Sequence, residues 1–164
     1  IEQFSDDVIE FCRQKSITQA SVIGFSDGGN IALFLAKKAP HIFTNVIALS
    51  PNTLVSGVEK KTFIVIRLLS KVFKLLNTLG FNTGLWIKIF NLMLTDIGLS
   101  FEDLSQIKTK VHFIYSEHDM ITEDHMLSLH KAIPKSTIYK EMKATHMNEV
   151  QKEGVISNIR EKLI

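Results

Sequence analysis

Several features that would assign a protein to a class are scarce or missing in this sequence of 164 residues. The single cysteine, Cys12, excludes an internal disulfide framework, and its place inside the first predicted helix favours a packed core thiol over a nucleophile. No apolar stretch is long enough to span a bilayer as a helix. The net charge of +2 is too small to indicate nucleic-acid binding, and the sequence has no phosphate-binding loop, zinc spacing or repeat.

The six histidines lack a metal-binding arrangement. His118, His125 and His130 are seven and five residues apart, so no two of them share a helix face at the spacing of a metal site. His112 alternates within a predicted strand and His41 follows a proline, and both are expected to be structural or solvated. We therefore predict no metal and no cofactor. No signal peptide is visible, although an upstream segment could carry one, and the cytoplasm is the expected compartment.

What the sequence does contain is a serine between two glycines, in the stretch Gly24-Phe25-Ser26-Asp27-Gly28. Residues 20–25 predict a buried strand before this serine, and residues 27–39 predict a helix after it. A tight strand-to-helix turn projects the serine hydroxyl to solvent, and a Cβ two residues away on either side is expected to collide with the backbone. The backbone amide of Asp27 is placed to meet a developing oxyanion. The pattern predicts a nucleophile elbow with Ser26 as the nucleophile.

A serine nucleophile needs a base and an acid that orients the base. Residues 110–115 predict a strand, and Asp119 follows its carboxyl end, where catalytic groups collect in an open parallel sheet. A helix and a short strand over residues 137–142 come next, and the following loop carries His146. We expect Asp119 to be the acid and His146 to be the base. Glu117, two residues before Asp119, is the alternative acid.

With these motifs the chain resembles the C-terminal part of a serine hydrolase of the α/β-hydrolase superfamily. The elbow matches, Ser116-Glu117-His118-Asp119 is similar to the superfamily's G-x-x-D turn, and Thr145-His146 is similar to its Gly-His turn. Ser116 and Thr145 stand in place of the usual glycines. The resemblance implies a parallel sheet flanked by helices, and it implies these roles: Ser26 as nucleophile, Asp119 as acid, His146 as base and the Asp27 amide as one oxyanion donor.

Superfamily members begin with a hairpin and further strands before the elbow, which supply the strand beside the elbow strand and the second oxyanion N–H. Here Ser5-Asp6-Asp7 predicts the start of a helix almost at once, and residue 1 is isoleucine. We therefore expect a partial chain whose N-terminal strands are missing. Its elbow strand, residues 20–25, is expected to lie at a sheet edge, where another copy of the chain could pair with it.

About sixty residues separate the strand predicted over residues 43–49 from the strand that begins at Lys110, far more than a short crossover needs. The resemblance implies that this segment forms a helical cap over the active site. Helices are predicted over residues 59–79, 84–95 and 100–107. The expected domains are an α/β-hydrolase core, residues 1–50 and 106–164, and a helical cap, residues 51–105.

The predicted cap is basic, because residues 57–95 carry six cationic side chains against one acidic side chain, a net charge of +5. Three interpretations stay open. The first is a solvated face of the cap, which the sequence favours. The second is a lid that contacts a membrane surface, and the third is a contact between subunits.

The predicted function is hydrolysis of a small carboxylic ester through an acyl-enzyme, with thioester or amide hydrolysis as variants of the same mechanism. Hydrolysis of a carbon–carbon bond also stays open, whereas dehalogenase chemistry needs a carboxylate in the position of Ser26. The alternative from another class is a non-catalytic binding or scaffold protein, which includes an inactive truncated chain. The expected partner is a small-molecule substrate.

The residue after the predicted nucleophile suggests a substrate preference. The elbow is similar to that of the cap-bearing hydrolases typified by valacyclovir hydrolase, which act on α-amino-acid esters. The Asp27 carboxylate is therefore a candidate contact for a substrate ammonium group. Its alternative role, which the sequence favours, is to stabilise the N-terminus of the helix that it begins.

Overall fold

The computed structural model describes residues 1–163 and places four strands in one sheet. The strands are β1 (Ala20–Phe25), β2 (Phe43–Leu49), β3 (Lys110–His118) and β4 (Ser136–Thr145). They lie in the order β1-β2-β3-β4, and every neighbouring pair is parallel. Their carboxyl ends therefore meet at one edge of the sheet, and the expected α/β fold is confirmed.

Helices cover the two faces of this sheet unequally. Along the described chain they are α1 (Glu2–Gln14), α2 (Asp27–Lys38), α3 (Lys60–Thr78), α4 (Gly84–Met93), α5 (Phe101–Ser105), α6 (Glu123–Ala132) and α7 (Glu153–Leu163). Residues of α1, α2, α5 and α6 share the larger apolar core, which includes Cys12, Leu33, Leu104 and Met126. Val155 of α7 packs on the opposite face in a smaller core with Ile47, Leu49 and Ile114.

Strand β1 lies at one edge of the described sheet, as expected for the elbow strand. The prediction of a buried strand is wrong for β1, where only Gly24 is buried and Ile23 is 47% exposed, whereas its partner β2 is buried from Val46 to Leu49. The difference follows from position, because a central strand is covered on both sides by its neighbours and an edge strand is not. The elbow thus begins at the end of a strand with one free side.

Helices α3 and α4 pack against each other through an aromatic cluster of Phe73, Trp86 and Phe90, with ring centroids 5.4 to 6.3 Å apart. Helix α5 packs instead on α2 and α6, where Leu104 is fully buried. Helices α3 and α4 leave many large apolar side chains exposed in whole or in part: Ile64, Val65, Leu68, Leu69, Val72, Leu75, Leu85, Trp86, Ile89 and Leu92. The division into core and cap stays a prediction, and so do the three interpretations of the cap surface.

Several element boundaries differ from those expected. Helix α1 begins at Glu2, three residues before Ser5, and the buried Ser5 hydroxyl donates to the Glu2 carbonyl oxygen at 2.5 Å. Strand β3 runs three residues further than predicted and ends at His118, and β4 continues to Thr145. The acid and base candidates therefore follow their strands directly instead of lying in longer loops. No helix within residues 1–163 combines the length and apolarity that a bilayer crossing requires.

Candidate active site

Ser26 occupies a strained turn between β1 and α2. It takes the N-cap position of α2 with φ 54° and ψ −119°, in the left-handed half of the backbone map that non-glycine residues rarely adopt. Its N–H donates to the carbonyl oxygen of Leu49 at 2.8 Å, which ties the turn to the end of β2. The surrounding structure thus holds the Ser26 hydroxyl out from the carboxyl edge of the sheet.

The two glycines around Ser26 differ in their need for a missing side chain. A Cβ on Gly24 would lie 2.0 Å from the carbonyl oxygen of Gly28, whereas a Cβ on Gly28 would meet no atom within 4 Å. The expectation of a collision on both sides is therefore wrong for Gly28. The second close approach belongs to Gly29, where a Cβ would lie 3.1 Å from the Leu49 carbonyl oxygen. Gly29 is the residue that lets α2 start against the end of β2.

The structure brings Ser26, His146 and Asp119 together although 120 residues separate the first two in sequence. His146 Nε2 lies 3.1 Å from Ser26 Oγ, and His146 Nδ1 lies 2.8 Å from Asp119 Oδ1. The side chains of His146 and Asp119 are both buried. The Phe25 ring packs against the imidazole at 4.8 Å between centroids and limits its rotation. These are the contacts that a nucleophile, a base and an orienting acid require.

The carboxylate of Asp119 is ionised despite its burial. Burial alone would raise its pKa, but hydrogen bonds from His146, Ser50 and the Ile121 N–H outweigh that effect and lower the pKa below its usual value. Glu117, the alternative acid, lies elsewhere and accepts a hydrogen bond from the backbone N–H of Lys143 at 2.9 Å. The structure therefore places Asp119, and not Glu117, against the imidazole.

Two buried residues beside Asp119 were not predicted from the sequence. Ser50, directly after β2, hydrogen bonds with Asp119 Oδ2 and lies 2.5 Å from Glu149 Oε2. Glu149, three residues after His146, also accepts from the Ser116 hydroxyl at 3.1 Å. Burial raises the pKa of Glu149 to about 7, and the negative charge of Asp119 adds to the rise. The position of Ser50 at the carboxyl end of a central strand was the available sequence signal.

Asp119, His146 and Glu149 offer donor atoms within 4.8 Å of one another, and all three are buried. However, Asp119 and His146 are hydrogen bonded to each other, and Ser50 lies between the two carboxyl groups. We interpret the group as a hydrogen-bond network and assign no ion to it.

The other histidines lie outside this network. His112 and His130 pair with the hydroxyls of Thr137 and Ser136, and His125 is buried, where its Nε2 accepts from the Thr53 N–H at 3.2 Å. His41 and His118 are exposed.

A cavity of about 180 Å³ opens beside Ser26 between the sheet edge and helices α3 and α4. Its floor is polar, with Ser26, Asp27, Asn30 and Asn52, and its walls are apolar apart from Thr95: Val58, Ile66, Ile89, Leu92, Met93, Ile97, Met120 and Ile121. A water-sized group fills roughly 30 Å³, so the cavity holds only a few heavy atoms. A small apolar group next to the Ser26 hydroxyl fits this shape.

A larger concavity of about 630 Å³ lies at the opposite edge of the sheet. It is lined by residues at the starts of β2, β3 and β4, including Thr44, Lys110 and Ser136. The amino ends of the strands are not where open parallel sheets carry their chemistry. We therefore place the candidate site in the smaller cavity at Ser26, because it contains the hydrogen-bonded set.

Comparison with known proteins gives the family of the chain and proteins of similar fold. The family described as "Putative esterase" matches residues 7–138. The fold is similar to an α/β hydrolase from a lagoon-sediment metagenome (TM-score 0.65, 21% identity, 97% of this chain and 67% of that chain). It is also similar to an enol-lactonase from Burkholderia xenovorans LB400 (TM-score 0.69, 16% identity, 99% and 72%).

A meta-cleavage product hydrolase from Pseudomonas fluorescens IP01 shares the fold as well (TM-score 0.70, 13% identity, 96% of this chain and 69% of that chain). A sequence comparison with curated proteins finds no match.

Proposed function

The chain belongs to this esterase family and to the α/β-hydrolase superfamily. Because these are hydrolytic enzymes, we propose that the protein cleaves small carboxylic esters through an acyl-enzyme on Ser26. The observation that carries the proposal is the hydrogen-bonded series from Ser26 through His146 to Asp119. Ser26 Oγ attacks the ester carbonyl carbon while His146 Nε2 takes its proton. His146 then returns the proton to the leaving alcohol, and water releases the acid by the reverse sequence.

Asp119 keeps the imidazole in the form that this sequence of steps needs. Its Oδ1 accepts from Nδ1–H, which leaves Nε2 free to accept the serine proton. The tetrahedral oxyanion is stabilised by the N–H of Asp27, because the first amides of a helix have no acceptor inside the helix. The apolar walls of the cavity receive a short acyl chain. Ester hydrolysis with a small acyl group is therefore the reaction that this site supports best.

The Asp27 carboxylate adds a finer proposal about the substrate. Asp27 is the one charged side chain among the described residues that line the cavity. Its nearest polar partner is the amide of Asn30, at 3.4 Å, a weak contact that leaves the charge largely uncompensated. Asn30 is itself fixed, since its Oδ1 accepts from the Asn52 N–H at 2.8 Å. We propose that an ester carrying an ammonium group beside its carbonyl binds with that group at Asp27.

The experiment that tests the assigned acid compares Asp119→Asn with Glu117→Gln in the hydrolysis of a p-nitrophenyl ester of a short acid. Asp119→Asn removes the acceptor that selects the imidazole tautomer, and kcat is expected to fall by about 10³- to 10⁴-fold. Glu117→Gln is expected to retain wild-type kcat. A wild-type kcat in Asp119→Asn would refute the assignment, and a protein with no turnover and no acylation in any form would favour the non-catalytic alternative.

A further inference from the structure

Three buried polar side chains lie beside Asp119, and the acyl-transfer steps do not use them. Ser50 follows β2, Ser116 lies in β3, and Glu149 begins a short 3₁₀ turn after His146. Glu149 and Ser50 are 0% exposed and Ser116 is 1% exposed. Burial of a carboxyl group requires compensating hydrogen bonds or loss of its charge. The hydrogen bonds of Glu149 therefore decide whether its carboxyl group is ionised or protonated.

Ser50 is in contact with both carboxyl groups through one oxygen atom. Its Oγ hydrogen bonds with Asp119 Oδ2, and the same Oγ lies 2.5 Å from Glu149 Oε2. A serine hydroxyl carries one hydrogen, so it can donate to only one of the two acceptors. The second contact needs a hydrogen on a carboxyl oxygen. One of the two acids must therefore be protonated for both contacts to be hydrogen bonds.

The surroundings place that proton on Glu149. Asp119 Oδ1 accepts from His146 Nδ1 and from the Ile121 N–H, which favours its ionised form. Glu149 Oε1 has no hydrogen-bond partner among the described residues, which an ionised carboxylate would not tolerate in a buried site. Burial and the nearby charge of Asp119 both raise the pKa of Glu149. These contacts favour one proton shared by the two acids, with Glu149 as its site.

Ser50 and Ser116 show that this arrangement is built into the backbone. Ser50 has φ 44°, a left-handed conformation that costs free energy in a non-glycine residue. Ser116 occupies a position where the resembling acid turns carry glycine, and its hydroxyl lies 3.1 Å from Glu149 Oε2 and 3.3 Å from the Thr145 carbonyl oxygen. The hydroxyl therefore links the acid turn to the turn that carries His146.

We propose that protonated Glu149 is a positioning residue that acts through Ser50, in a series in which Glu149 donates to Ser50, Ser50 donates to Asp119, and Asp119 accepts from His146. This inference rests on the proposed roles of Asp119 and His146. The series holds the Asp119 carboxylate against His146 Nδ1 and leaves its negative charge uncancelled. It adds a dependence on pH that a triad of three residues lacks.

The sign of this dependence follows from the groups around Glu149. Asp119 and His146 are the titratable groups that face it, and the other side chains in contact with it are Ser50, directly after β2, and Ser116 of β3. When rising pH removes the proton from Glu149, the donor to Ser50 is lost and a second buried negative charge appears beside Asp119. Ester turnover is therefore expected to fall as pH rises through the range in which Glu149 ionises. Glutamine, which cannot ionise and can still donate, abolishes this fall.

The experiment measures kcat and KM from pH 5.5 to 9 for the wild type, Glu149→Gln and Glu149→Ala, with far-ultraviolet circular dichroism to verify folding of each. Glu149→Gln is expected to keep wild-type kcat at pH 6 and to lack the fall at higher pH. Glu149→Ala is expected to lose kcat by about 10- to 100-fold, as for removal of a hydrogen bond in a charged series, with little change in KM. Ser50→Ala, which cuts the series, is expected to weaken the same pH dependence, because only the charge of Glu149 then acts on Asp119.

An infrared measurement separates this inference from the proposed function, because it does not need turnover. A protonated carboxyl group gives a carbonyl band that an ionised carboxylate lacks. We expect that band in the wild type at pH 6 and its absence in Glu149→Gln. A wild-type pH profile in Glu149→Gln, equal loss of kcat in the glutamine and alanine variants, or the absence of the band would each overturn the inference. If the wild type shows the band but Ser26→Ala keeps full esterase activity, the proposed function is contradicted and the inference about Glu149 is not.

Discussion

The substitution of alanine at Gly24 is expected to disable the elbow, while the same substitution at Gly28 is expected to be tolerated. The two glycines occupy matching places in the motif and would look equivalent in sequence. In the structure, a Cβ on Gly24 would lie 2.0 Å from the Gly28 carbonyl oxygen, 2.3 Å from its carbon and 2.7 Å from the Gly29 nitrogen. All three atoms belong to the backbone, so no side chain can rotate away to make room.

The size of the effect follows from this geometry. Overpacking against movable side chains costs about 1 to 3 kcal/mol, and a collision with the first turn of α2 is expected to reach at least the top of that range. The turn has to move by roughly 1 Å, and a misplacement of that size at a reacting group lowers kcat by about 100-fold. Alanine at Gly28 meets no atom and favours a helix, which stabilises the fold by up to about 1 kcal/mol.

The assay pairs urea denaturation with steady-state hydrolysis of a p-nitrophenyl ester for both variants. The free energy of unfolding should fall in Gly24→Ala and should hold or rise in Gly28→Ala, and kcat should fall only in Gly24→Ala. Equal stability and equal kcat in the two variants would refute the reasoning. That outcome would mean that the close approach of Gly24 to Gly28 does not define the elbow.

Two further predictions concern Asp27 and His125. In Asp27→Asn, kcat/KM for an α-amino-acid ester is expected to fall about tenfold or more, because a charge-assisted hydrogen bond is lost. The kcat/KM for the matching ester without the amine is expected to stay unchanged. An equal loss on both esters would leave Asp27 only its role at the helix N-terminus. Burial lowers the pKa of His125 to about 4. Between pH 6.5 and 4, His125 therefore binds a proton in the unfolded chain but not in the folded chain. Stability is therefore full above pH 6.5 and is expected to fall by about 3 kcal/mol on acidification to pH 4. Urea denaturation of His125→Gln, whose amide oxygen can still accept from the Thr53 N–H, should show a smaller acid loss, and an unchanged loss would contradict this account.

Much of the fold was predictable because its signals are local. The run before Ser26 predicted β1 over the same residues, 20–25, and the apolar stretch 43–49 predicted β2. An apolar strand and a helix start after a tight turn depend on neighbouring residues, which the sequence displays directly. The ends of elements were less predictable. Strands β3 and β4 continue through polar residues because their neighbours in the sheet extend the pairing, as between His118 and Thr145.

The candidate site was predictable where chemistry demands a particular residue and unpredictable where packing supplies it. Ser26, Asp119 and His146 could be assigned because a nucleophile, an acid and a base follow in a set order along the chain. Ser50 and Glu149 carry no motif, and 99 residues separate them. Their contact exists only when the end of β2 meets the turn after His146. The open space at Gly28 likewise depends on the path of α2.

The central claim is that Ser26 is the residue that becomes acylated, and the most direct measurement is peptide mapping by mass spectrometry after reaction with a fluorophosphonate probe. The probe bonds covalently to an activated serine and reports the nucleophile without any knowledge of the substrate. We predict one modified peptide, containing Ser26, with no labelling of Ser50 or Ser116 and none at all in Ser26→Ala or after denaturation. A label on another serine, or undiminished labelling of Ser26→Ala, would contradict the account.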